Sequence, residues 1–167
     1  SLRSTRPDDL AAMVLREALN RAPGVAAMDI EDVILGCAMP EASQGLNVAR
    51  LSSLRAGIPV DVPSATINRF CSSGLQSLAQ GASAILAGWQ DVVLTGGVES
   101  MTRAPLVMGK AQEAFQRSAE VFDTTLGWRF VNPLMKQQYG IDSMPETGEN
   151  VAADVAVSRA DQDAFAL

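Results

Sequence analysis

Histidine is absent from all 167 residues, so no imidazole in this chain can act as a general base, as the partner of a nucleophile or as a metal ligand. Cysteine occurs only twice, as Cys37 and Cys71. Two cysteines do not make a disulfide framework, and no Cys/His spacing suggests a metal site. Positive charge is sparse. Thirteen Lys and Arg stand against 19 Asp and Glu, a formal net charge of -6, which argues against nucleic acid or an anionic membrane as partner. No apolar run reaches transmembrane length and no secretory signal pattern opens the sequence, so a cytoplasmic protein is the expectation. What is present is ordinary for a globular chain: 47% hydrophobic and 19% charged residues, enough for one compact domain.

The stretch from Ser64 to Leu86 organises the rest. Ser64 to Asn68 reads as a short buried strand, and Leu75, Leu78, Ala79, Ala82, Ile85 and Leu86 recur at helical spacing. Cys71 falls between them. Ser72 and Ser73 offer hydroxyl acceptors to a helix start, which puts Cys71 at or beside the first turn, where unpaired N–H groups and the helix dipole favour a thiolate. A small buried hydrophobe is the other reading of such a cysteine. Gly74, Ser77, Gly81, Ala82, Ser83 and Ala84 let neighbouring backbones approach closely, and predict a deeply buried, tightly packed helix.

Along the chain, Thr5-Arg6-Pro7-Asp8 has the pattern of a capping box opening a helix that Pro23-Gly24 ends. Asp32 to Gly36 follows as a buried strand with Cys37 at its end, a position that suits packing and lacks the adjacent helix start of Cys71. Leu46 to Ala56 is helical and stops at Gly57, and Asp91 to Thr95 forms a third apolar strand closed by Gly96-Gly97. Helices alternating with continuously apolar strands define an α/β fold with parallel pairing and helices on both faces. Ligands of such sheets bind beyond the carboxyl ends of the strands, where Cys37, Cys71 and Gly96-Gly97 all fall. Beyond Gly97 periodicity weakens, Met101, Met108, Met135 and Met144 read as irregular apolar filler, with a cofactor-lining surface as the other reading, and Glu149 to Val155 reads as helix. Ser158-Arg159-Ala160-Asp161 is another capping-box pattern, with too few residues after it for a useful helix.

Read in order, NRFCSSGLQ (68–76), GGVESMTRAP (96–105), SMPETGENVA (143–152) and SRADQDAFAL (158–167) resemble the thiolase family, acyl-CoA acyltransferases with a nucleophilic cysteine. The resemblance runs over essentially the whole chain. It implies a layered thiolase-type fold, with a partial N-terminal domain at 1–100 and, at 101–167, the start of a loop domain that covers the cleft and helps hold coenzyme A. It assigns the acyl-carrying role to Cys71, whose backbone N–H is the implied oxyanion donor. Asn68 and Arg69 are candidates for orienting the turn, with packing or solvent exposure the competing reading of each.

The same resemblance implies coenzyme A and acyl-CoA as substrates, no covalently bound cofactor, no metal, and a homodimer or homotetramer. It also implies a strand before the first helix, at the middle of the sheet, and C-terminal motifs bearing the family's histidine and second cysteine; none is present here. The expectation is therefore a chain that is somewhat less than half of a thiolase and works with the remainder of the polypeptide or a complementary chain. Substrate clues diverge. Ser143 stands where short-chain biosynthetic members, the acetoacetyl-CoA-specific acetyltransferases, often carry a histidine, and 123–147 looks like thiolases that cleave 3-oxoadipyl-CoA. NRFCSSGLQ is closer to the fatty-acyl thiolases of β-oxidation. A degradative 3-oxoacyl-CoA thiolase is the reading that spans both. Asn68-Arg69-Phe70 speaks against a condensing enzyme of fatty-acid synthesis, and a noncatalytic subunit that binds CoA or a partner chain is the alternative that the missing histidine allows.

Overall fold

A computed structural model describes residues 2–167. The chain divides between Ala104 and Pro105 into two compact units, each taken here by itself.

In the first unit, helix α1 (Pro7–Asn20) leads to strand β1 (Asp32–Gly36), helix α2 (Val48–Ala56), strand β2 (Ser64–Ile67), helix α3 (Ser73–Leu86) and strand β3 (Val93–Gly97). Pro7 sits in the first turn of α1, where its missing N–H removes no helical bond. Thr5 does not cap this helix. Arg6 holds the N-cap position without a side-chain cap bond and pairs with Asp8 at 2.7 Å, and that guanidinium draws the Asp8 carboxyl below its ordinary range. Asn47 caps α2 by accepting from the Arg50 N–H at 3.1 Å, and Gly57 ends it in the left-handed conformation at φ 88°.

The three strands are all parallel in the order β2-β1-β3, so the fold is α/β as the alternation of elements predicts. Strand β1 is the middle strand. Val33 lies opposite Ser64 on one side and Leu94 on the other, and its side chain is fully buried. The missing central strand that the resemblance implies leaves no gap beside β1: β1 and β3 pair directly, and among the described residues the unpaired backbone edges are the outer sides of β2 and β3. As an edge strand, β2 is only half-buried, unlike the buried strand its composition suggests.

Side chains alternate across β1 and select the packing partner of each face. Val33 and Leu35 join Ala11, Leu15, Ile30, Ala49, Ile58 and Val62 in the core beneath α1 and α2. The opposite face receives α3, and here the approach is close enough to exclude side chains. A methyl added at Gly36 would overlap the backbone of Ser73 and lie 2.5 Å from the Gly74 N, and one at Gly81 would lie 2.6 Å from Thr95 Cγ2. Small residues are thus required on both sides of this contact.

The consequence reverses the expected burial of α3. Ser73, Ser77 and Gly81 are its buried residues, whereas Leu75, Leu78, Ile85 and Leu86 are exposed, Leu86 to 87%. Small and hydroxylated residues face the sheet, and the apolar stripe faces away from it. The helix is tightly packed on one side only, which corrects the reading of a deeply buried element.

The second unit contains the antiparallel pair β4 (Leu106–Met108) and β5 (Val121–Asp123), then helices α4 (Pro133–Tyr139), α5 (Met144–Asp154) and α6 (Arg159–Ala166). Thr124 is buried and ties this unit's start to β5 by donating from Oγ1 to the Pro105 carbonyl at 2.7 Å. Phe122 and Phe130 pack edge to face with centroids 5.0 Å apart. Helix α5 begins at Met144, earlier than expected, because Ser143 and Glu146 form a reciprocal capping box. Helix α6 also forms, contrary to expectation: Ser158 caps it and Arg159 pairs with Asp163 one turn on. The four methionines read as filler are all exposed. Apolar filler needs neighbours on every side, and each unit of this chain leaves these side chains on its surface.

Candidate active site

The candidate site lies at the carboxyl ends of the parallel strands, where the chain after β2 turns into α3. Cys71 is exposed in this turn, two residues before the first residue of the helix. Phe70, immediately before it, has φ 46°, a left-handed conformation that non-glycine residues rarely adopt. Several hydrogen bonds hold it there. Asn68 Oδ1 accepts from the Phe70 N–H at 2.8 Å, while Asn68 Nδ2 donates to the Ala38 carbonyl at 2.9 Å. Ser73 Oγ accepts from the Arg69 N–H at 2.9 Å and donates to the Phe70 carbonyl at 2.6 Å.

These bonds correct the expected role of the two serines. Ser72 makes no side-chain cap bond to the helix; its hydroxyl donates backward to the Arg69 carbonyl at 3.1 Å. Both hydroxyls brace the turn that carries Cys71, and neither caps α3. Asn68, although exposed, bonds the turn directly, and Arg69 contributes its backbone N–H and carbonyl. Further along α3, Ser77 Oγ lies 2.7 Å from the carbonyl oxygens of both Gly74 and Gly96, and its single proton is donated to one or the other. That hydroxyl pins the start of the helix against the end of β3.

Cys37 follows β1 on the same sheet edge and has a different environment. It is buried, its backbone N–H donates to the Ile67 carbonyl at 3.0 Å, and its Sγ lies 3.8 Å from Glu99 Oε1. Burial, reinforced by the Glu99 charge, pushes its thiol up to about 11. A thiol so held is protonated at neutral pH and serves packing, as its strand-end position suggested.

Two residues that the sequence reading did not single out complete this edge. Glu99 Oε2 accepts from the Ala38 N–H at 2.7 Å and its Oε1 accepts from Gln44 Nε2. Gln44 is buried, donates to the Met39 carbonyl at 2.7 Å and accepts from the Ser100 N–H at 2.9 Å. The signal for Glu99 was available as the first acidic residue after Gly96-Gly97, but no periodicity marks it. In the second unit, a shallow concavity is lined by Met108, Lys110, Gln116 and Arg117, giving two cations on the segment that the resemblance assigns to coenzyme A. Among the described residues no His, Cys, Asp or Glu cluster could hold a metal ion, and no helix is long and apolar enough to cross a membrane.

A strand-turn-helix that exposes one thiol at the end of a parallel sheet leaves that thiol open to an incoming electrophile. The family model for the thiolase N-terminal domain matches residues 1–167, and the chain belongs to that family. It is 60% identical over 167 residues to the 3-oxoadipyl-CoA/3-oxo-5,6-dehydrosuberyl-CoA thiolase of Escherichia coli strain K12, covering 100% of this chain and 42% of that protein. A β-ketoadipyl-CoA thiolase of Pseudomonas aeruginosa is 54% identical over the same share of both chains. Among solved structures, the Bacillus anthracis acetyl-CoA acetyltransferase superposes with a TM-score of 0.83 at 33% identity, over 98% of this chain and 40% of that one. The chain thus spans well under half the length of the relatives it matches.

Proposed function

We propose that this chain is the nucleophile-bearing N-terminal part of a thiolase that cleaves 3-oxoacyl-CoA, with 3-oxoadipyl-CoA as its substrate. The observation that carries the proposal is Cys71, exposed beside the start of α3 within the family's own motif. The Cys71 thiolate attacks the 3-oxo carbon of the substrate. The bond between C2 and C3 then breaks, its electron pair passes to C2 as the enolate of acetyl-CoA, and a protonated group supplies the proton that yields acetyl-CoA. The acyl group stays on Cys71 as a thioester until the thiolate of free CoA attacks it and expels Cys71 as the leaving group. The backbone N–H of Cys71 is the proposed donor to an oxyanion formed along this path.

The choice of acyl group rests on 123–147, and on the higher identity to the 3-oxoadipyl and β-ketoadipyl enzymes than to a Bacillus subtilis 3-ketoacyl-CoA thiolase, at 44%. Of the two diverging sequence clues, this favours the dicarboxylic substrate over the fatty-acyl one. The proposal divides the work between parts: residues 1–100 supply the thiol, the loop-domain segment 101–167 helps hold coenzyme A, and the remainder of the enzyme supplies the base and the acid. The outward apolar stripe of α3 is the surface on which that remainder docks, because Leu75, Leu78 and Leu86 have no cover in this unit. The complete enzyme is proposed to be a homodimer or a dimer of dimers.

The test is a thiolysis assay of the complete enzyme that contains this chain, against 3-oxoadipyl-CoA, a monocarboxylic 3-oxoacyl-CoA and acetoacetyl-CoA, beside the isolated chain. The expected result is turnover by the complete enzyme with highest kcat/KM for 3-oxoadipyl-CoA, and none by the isolated chain. Equal kcat/KM for the monocarboxylic substrate would remove the substrate assignment. Absence of all thiolysis in the complete enzyme would overturn the thiolase reading and leave a CoA- or partner-binding subunit.

A further inference from the structure

Glu99 and Asn68 are both solvent-exposed by residue, yet both spend their polar atoms on the protein. An exposed carboxylate is ordinarily left to water. Here one oxygen of Glu99 takes the Ala38 N–H at 2.7 Å and the other takes Gln44 Nε2. On the far side of the same residue, the Ala38 carbonyl accepts from Asn68 Nδ2 at 2.9 Å. Ala38 is therefore gripped from both ends, its N–H by Glu99 and its C=O by Asn68. Asn68 then uses its remaining oxygen on the N–H of Phe70, the left-handed residue that sets the direction of the chain into Cys71.

The bonds form one path from Glu99 through Ala38 and Asn68 to Phe70, and the strained residue at its end is the neighbour of the thiol. Strain of this kind persists only where surroundings over-determine the conformation. We propose that Glu99 and Asn68 act together through Ala38 as positioning residues for Cys71, fixing the turn so that the thiol meets the acyl carbon in a reactive geometry. The inference rests on Cys71 being the nucleophile. It adds that the geometry of that nucleophile is set from the loop after β3, 28 residues downstream of Cys71 in the sequence, and not by the helix start alone.

Each substitution that tests it preserves shape. Glu99→Gln leaves one carbonyl oxygen for two donors and turns an NH2 toward either Ala38 N–H or the Gln44 amide. Asn68→Asp keeps an acceptor for Phe70 but sets an oxygen against the Ala38 carbonyl. Misplacing a reacting group by about 1 Å costs on the order of 10²-fold in rate. In the complete enzyme, each variant is expected to lower kcat about 10- to 100-fold per active site, as titrated by acylation of Cys71, with KM changed less than about threefold.

Because both residues act on one link, the double variant is expected to lose little more than the worse single one. A lowered melting temperature with kcat per titrated site unchanged would mean a purely structural role and overturn the proposal, as would multiplicative losses in the double variant. Cys71→Ala separates the two failures. If it leaves turnover intact, the nucleophile reading has failed; if it abolishes turnover while Glu99→Gln and Asn68→Asp retain full kcat, only the positioning proposal has.

Discussion

Two neighbouring strands of one sheet each run into a turn with a cysteine, and the two turns have opposite character. After β1 the chain stays under cover: Cys37 is buried, bonded through its N–H to the end of β2, and its thiol is pushed up to about 11 beside a carboxylate. After β2 the chain lifts out through a left-handed Phe70, and Cys71 stands exposed before a helix whose small residues seat it on the strand ends. The residue type is the same. What differs is whether the turn leads into a helix N-terminus, whether the thiol is exposed, and, at Cys37, a buried setting beside the Glu99 carboxylate that opposes a thiolate. The turn, and not the residue type, sets whether each thiol is buried or exposed, and the contrast can be broken at several points.

The largest effect is expected from the thiols themselves. In the complete enzyme Cys71→Ala should lower kcat by more than about 10⁴-fold, the scale seen when a catalytic nucleophile is removed. Cys37→Ala should leave thiolysis within about threefold, because the buried thiol is replaced by a small apolar group with little cavity. Steady-state kinetics on the two variants checks both. A collapse of activity in Cys37→Ala with the protein still folded would reverse the roles assigned here.

A smaller but still large effect follows from the seat of α3. Gly36→Ala puts a methyl into the backbone of Ser73 and Gly74, which has no flexible side chain to yield, and should destabilise unit 1 by about 3 kcal/mol. Ser77→Ala removes the hydroxyl that joins α3 to the end of β3 and should cost about 1–2 kcal/mol. Urea denaturation midpoints read both, and a Gly36→Ala protein as stable as the parent would show that the close approach is not a constraint.

The smallest effect is on pH dependence. The Cys37 thiol is raised from its ordinary value of 9.0 to about 11, so the unfolded chain loses that proton first as pH rises. The stability that protonated, buried Cys37 supplies is fully present below pH 9 and is lost progressively between pH 9 and 11. Unfolding midpoints at pH 8 and pH 10.5 should therefore fall further apart in the parent than in Cys37→Ala. An identical difference in the two proteins would contradict the assignment.

Much of this was legible in the sequence, for reasons that are local. Strand β1 is a continuous apolar run closed by Gly36, and α2 ends where Gly57 adopts φ 88°. Cys71 stood out because a strand signal, two serines and a helical period meet around it. The orientation of α3 was not legible. Helical periodicity shows that Leu75, Leu78 and Leu86 share a face but not what covers it, and the stripe of small residues turned out to mark the face against the sheet. The pairing of β1 with β3 is likewise a long-range choice that local pattern does not specify. Glu99 escaped notice because its partners, Gln44 and Ala38, lie 55 and 61 residues away, and Asn68 was half-visible because its bond to Phe70 is local while its bond to Ala38 is not.

The central claim is that Cys71, and not Cys37, carries the acyl group. Rapid quenching of the complete enzyme with 3-oxoadipyl-CoA in the absence of free CoA, followed by digestion and peptide mass mapping, tests it directly. The account predicts a succinyl thioester, the four-carbon acyl remainder of that substrate, on the peptide containing Cys71 and none on the peptide containing Cys37. An acyl mass on Cys37, or full turnover with neither cysteine ever acylated, would contradict it.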